Sequence, residues 1–179
     1  MATSSLDLWD TIVDEAAAES RLWGEAARSG DEREAVAVFS PLGEPRFALG
    51  LETIYEGYLL HYGRSRLFAP ADGDTALLLG DYLYAHGLVR IASHDEVGAV
   101  ADLAELISLC AQVQAEGRDG DGPLWAATAA LLGRDALGEA RSALRLRGDA
   151  VALDALARDA ADPTAVDEAL AAHRARLLR

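Results

Sequence analysis

Apolar residues return every three or four positions in almost every segment of this chain. No run alternates apolar and polar residues for long enough to make a strand. That spacing puts a stripe on one side of a helix and restricts the fold to packed helices. Leu6, Trp9, Val13, Ala16 and Trp23 predict a first helix, with Ser4 or Ser5 as its cap. "SGDEREAVAVF" predicts a short second one, with Asp31 and Glu32 favourably placed in its first turn. Its "EAVAVF" is the nearest thing to a strand. "SPLGEP" breaks the pattern, and a helix carrying Phe47, Leu51, Ile54 and Tyr58 follows and ends near Gly63.

"TALLLGDYLYAHGLVRIAS" is apolar nearly all round, which predicts the central helix of the core. The next helix has Val100, Leu103, Ile107, Cys110 and Gln114 on one stripe. After the loop "GRDGDGP", "LWAATAALLGRDALGEARSALR" reads as one helix. Two Ala-rich helices close the chain and are expected to pack loosely, since small side chains bury little area. Asp162 is placed to cap the last of them, with Pro163 at its first turn. The expectation is an all-α, single-domain bundle over residues 1–179.

Composition narrows the function classes. The net charge of −14 argues against a nucleic-acid partner, which requires a basic surface. All 16 basic residues are Arg, so any bound anion would be held by Arg, His or backbone. Cys110 is the only cysteine, which excludes an internal disulfide framework and a multi-cysteine zinc site. No apolar block follows a basic start, and acidic or basic residues interrupt the apolar runs. A cytoplasmic location without a transmembrane segment is expected.

Four motifs occur in an order that resembles the trans-polyprenyl diphosphate synthase (isoprenoid synthase) family. "LETIYEGYLLHYGRSR" follows the family helix L-E-L-I-H-x-x-S-L-h-H-D-D-x-x-D at Leu51, Glu52, Ile54, Leu59, Leu60 and His61. "TALLLGDYLYAHGL" follows A-h-L-x-G-D-x-L-h-A at Leu79, Gly80, Asp81, Leu83 and Ala85. "LISLCAQVQAEG" and "WAATAALL" stand where later family helices carry Gln or Glu and K-T-A-x-L. The resemblance covers about residues 43–146, and residues 147–179 would be extra C-terminal helices.

The resemblance also shows what is missing. The first aspartate motif would fall on Tyr62, Gly63 and Arg66, and no D-D-x-x-D occurs anywhere. In catalytic members those carboxylates hold Mg²⁺ against a diphosphate. The chain is therefore read as a short, degenerate member with no catalytic residues and no metal ligands, Mg²⁺ being supplied only through a catalytic partner. The implied role is a small or regulatory subunit of a heteromeric synthase. The alternative is a self-associating module that binds an isoprenoid diphosphate. An active prenyltransferase is the weakest reading. The ligand-binding candidates are Arg64, Arg66, His61, Tyr62, Asp81 and Gln114. The two arginines could grip a diphosphate without metal. Asp81 is expected to be buried and paired, and Gln114 to face a central pocket.

Overall fold

A computed structural model describes residues 5–177, with side chains described from residue 8. It is a single helical domain, and no strand forms among the described residues. The helices are α1 (Ser5–Glu19), α2 (Arg21–Ala26), α3 (Ala48–Tyr62), α4 (Gly73–Ala92) and α5 (Val97–Ala115). They continue with α6 (Asp121–Ala130), α7 (Gly138–Arg147), α8 (Val151–Ala160) and α9 (Pro163–Arg176).

The central helix is α3, not α4 as the all-round apolar pattern predicts. Every residue from Gly50 to Leu59 is buried. On one side α3 packs into a large core with Leu103, Leu106, Trp125, Leu153 and Val166 of α5, α6, α8 and α9. On the other it borders a smaller cluster in which Trp9, Ile12 and Val13 of α1 meet Leu79 and Leu83 of α4. Helix α4 covers α3 through glycines rather than through a broad apolar stripe, and leaves Leu77, Leu78 and Val89 exposed. Gly57 faces the Gly80 carbonyl and Gly87 faces the Gly50 carbonyl, so each helix contributes two glycines seven residues apart to the contact.

Several predicted boundaries move, each for a local reason. Trp23 belongs to α2, because Ser20 turns extended and its hydroxyl caps the new helix at the Leu22 amide. Helix α1 starts at Ser5; Ser4 lies outside the described residues. The helix predicted after Ser29 is reduced to one 3₁₀ turn, Gly30–Glu32. Beyond it, side chains take the backbone groups a helix would need. Val36 gives its carbonyl to Arg66, and Val38 and Ser40 give their amides to Glu52.

The predicted helix from Leu124 to Arg145 is two helices. Gly133 and Asp135 adopt positive φ between them, and the Gly133 amide donates to Asp102 at 2.8 Å. Asp162 caps α9 at the Ala165 amide, with Pro163 in the first turn, as the sequence predicts. The C-terminal pair is not loosely held: Leu153, Ala157 and Val166 are fully buried over α6.

Helix α5 is long and apolar enough by composition to cross a membrane, and it is the one such helix among the described residues. It also carries a buried ion pair, Asp102 with Arg141 at 2.7 Å, in the contact with α7.

Candidate functional site

The end of α3 is where the sequence concentrates its candidates, and the structure sends them to different places. Arg66 follows the helix in a loop that folds back, placing its guanidinium between Glu52 and Glu56. All three side chains are fully buried. Arg66 Nη1 donates to Glu52 Oε2 at 2.7 Å, and Nε donates to Glu56 Oε2 at 2.9 Å. Glu56 Oε1 also accepts the Ser65 hydroxyl and the amides of Arg66 and Leu67. The guanidinium plane lies over the rings of Trp9 and Tyr55 at 4.8 and 5.0 Å.

Arg66 is thus closed off from solvent and cannot pair with Arg64 around an anion. Arg64 is exposed, and its backbone amide donates to the Arg176 carbonyl, so the C-terminal segment lies across the end of α3. Two carboxylates one turn apart on an otherwise apolar helix marked this network in the sequence. Only the fold shows that one arginine is set between them.

His61, Tyr62 and Asp81 do come together. The His61 ring stacks on Tyr84 with centroids 5.1 Å apart, and Tyr62 lies tilted beside it. Asp81 is mostly exposed, contrary to the expectation of a buried carboxylate, because α4 turns that face outward. Its Oδ1 is 3.2 Å from His61 Nε2, but no hydrogen bond forms at that nitrogen, so the contact is electrostatic only.

Burial holds the His61 imidazole below its ordinary pKa, with the Asp81 carboxylate pulling the other way. The depressed value favours the neutral ring in the folded state. Stability is then complete above the unfolded value of about 6.5 and falls as pH drops through the folded one. Urea midpoints of the wild type are expected to decline from pH 7.5 to 5.5, and His61→Gln is expected to flatten that slope. An unchanged slope in the variant would refute this.

Gln114 faces a polar network that the sequence reading did not assemble. Its side-chain amide donates to Tyr58 Oη and to Asp121 Oδ2, both at 2.9 Å. Tyr58 also donates to Asp121 Oδ2, at 2.5 Å. His173 of α9 sits with Nε2 3.2 Å from the same oxygen and Nδ1 3.0 Å from Tyr55 Oη. With Nε2–H donating to Asp121, the His173 Nδ1 is left to accept the Tyr55 hydroxyl.

Asp121 and His173 are both buried, yet both line a pocket of about 530 Å³ between the start of α6, the turn at Gly148, α8 and α9. On its wall Arg158 bridges Asp154 at 2.8 Å and Asp167 at 2.9 Å. The volume suits a small molecule. The signal for His173 was available in the stripe Val166–Leu170–His173; the one for Asp121 was hidden in a Gly–Asp loop.

Cys110 is buried beside these tyrosines, and burial pushes its thiol well above the ordinary range, which keeps it protonated and inert. Among the described residues, no group of three or more His, Cys, Asp or Glu is placed to hold a metal ion. Comparison with protein-family models, with curated proteins and with solved structures gives no match.

Proposed function

We propose that this chain is a non-catalytic helical subunit of the prenyltransferase type, working beside a catalytic polyprenyl diphosphate synthase in isoprenoid biosynthesis. What supports this reading is position 66. The resemblance puts a metal-gripping carboxylate there; this chain has an arginine whose guanidinium is buried between Glu52 and Glu56. A permanent internal cation thus fills the space between two carboxylates on the very helix that would face the metal. Tyr62 packs against Tyr58, and Gly63 lies against the Arg176 carbonyl, where a Cβ would come within 2.8 Å. None of the three positions carries a carboxylate of the kind that holds Mg²⁺.

The alternative module, gripping a diphosphate with Arg64 and Arg66, keeps only Arg64 at the surface. It has less support than the subunit reading.

The test is co-purification of the tagged chain with a catalytic prenyl diphosphate synthase from its own cells, followed by product analysis with and without the chain. A co-purifying synthase whose product length shifts when this chain is omitted is the expected result. Turnover of an allylic diphosphate by the purified chain with Mg²⁺, or no synthase in the eluate, would overturn the reading.

A further inference from the structure

The pocket at the start of α6 does not involve Arg64 or Arg66, neither of which lines it. Four aspartates do, Asp119, Asp121, Asp154 and Asp167, against two arginines, Arg158 and Arg174. Arg158 is held by Asp154 and Asp167 together, so one positive charge is shared between two negative ones. Arg174 is exposed on α9, where water and salt screen it. Asp121 is buried in the first turn of α6, where the helix dipole favours its ionised form. Pro123, Ala150, Leu170 and Leu177 supply apolar surface to the same pocket.

We propose that this pocket binds a small organic cation, an ammonium or guanidinium group carried on a short hydrocarbon. The sign of the charge is the first reason. A concave lining with two more acids than bases, in a chain of net charge −14, concentrates cations and repels anions. Buried Asp121 counts for more than exposed Arg174, because charges interact more strongly away from water.

An inorganic divalent ion fits poorly. It needs several oxygen ligands converging on one point, and no group of three such side chains occurs among the described residues. The carboxylates are instead spread around about 530 Å³, the size of a small-molecule site, with room for a hydrocarbon beside the charge. Arg158 displays the contact that the ligand would make. Its guanidinium donates to Asp154 at 2.8 Å and lies 2.9 Å from Asp167. This site is independent of the subunit role proposed above.

Amide NMR of the isotope-labelled full chain, titrated with hexylammonium chloride and separately with sodium hexanoate, tests it. Hexylammonium is expected to shift the amides of Gly120, Gly122 and Gly148, and to bind at least ~10-fold more tightly than hexanoate. Asp154→Asn combined with Asp167→Asn should weaken hexylammonium binding at least ~10-fold. Arg174→Gln should act in the opposite direction. It removes an exposed base that has no ion pair among the described residues, and should tighten binding by about 2–5-fold. If circular dichroism shows that the double variant has unfolded, Arg174→Gln decides alone. Hexanoate binding as tightly as hexylammonium overturns the proposal, as does binding by neither. Shifts that avoid the three pocket glycines, or weaker binding in Arg174→Gln, also overturn it. Failure of a synthase to co-purify leaves this result unaffected.

Discussion

Arg66→Met is expected to destabilise the protein by about 3–5 kcal/mol, the range for removing one partner from a buried ion pair. The methionine fills much of the volume, so the loss is chiefly electrostatic. Glu52 and Glu56 would remain in the core with backbone amides and the Ser65 hydroxyl but no cation. Each carboxylate would then have to take up a proton or draw in water.

Adding Glu52→Gln and Glu56→Gln to Arg66→Met is therefore expected to recover a large part of the loss, because neutral amides need no counter-charge. Arg66→Lys should not rescue: the guanidinium reaches both carboxylates and the Val36 carbonyl at once, and an ammonium cannot span that geometry. Urea denaturation of the four proteins measures this. A loss under about 1 kcal/mol in Arg66→Met would mean the network is solvated and the account of position 66 is wrong.

The second large effect is expected at Gly57. A Cβ there would lie 2.8 Å from the Gly80 carbonyl oxygen and 3.0 Å from Tyr84 Cδ1. The first neighbour is helix backbone and cannot swing aside, so α4 would have to lift from α3. Gly57→Val should cost about 3 kcal/mol, at the upper end for overpacking a dense core. For a chain of this size that lowers the melting temperature by roughly 6–12 °C.

Gly73→Ala is the matched control. It begins α4, and nothing lies within 4 Å of its added methyl group. Alanine favours helix over glycine by up to about 1 kcal/mol, so that variant should be unchanged or more stable. Equal melting temperatures for Gly57→Val and wild type would show that α3 and α4 are not in backbone contact.

The paired glycines were present in the sequence as Gly50 and Gly57 on one helix and Gly80 and Gly87 on the next. Their meaning was not readable there. A glycine in a helix reads as a weakness, and only antiparallel packing of the two helices turns four of them into a contact surface. The same limit explains why α4 was expected at the centre. Its apolar residues exceed what α3 can cover, and the surplus, Leu77, Leu78 and Val89, is turned outward.

The functional candidates divide in the same way. His61 and Tyr62 at the end of α3 meet Asp81 in the middle of α4, a grouping that follows from how the two helices pack. Arg64 and Arg66 were expected to act jointly, but Arg64 stays at the surface while the chain bends at Arg66 and turns the second guanidinium into the core between Glu52 and Glu56. His173 and Tyr55, 118 residues apart, could be joined only by the fold.

By itself the sequence determined the all-helical class, the breaks at "SPLGEP" and "GRDGDGP", and the cap at Asp162. These depend on hydrogen bonds and side-chain spacings within about four residues. The tertiary structure decided that α3 is enclosed, that the stretch after Glu32 forms no helix, and that Arg66 is sealed between two glutamates. Each of those outcomes depends on partners more than ten residues away. Burial and ion pairing follow from which surfaces meet, and local helical spacing carries no information about that.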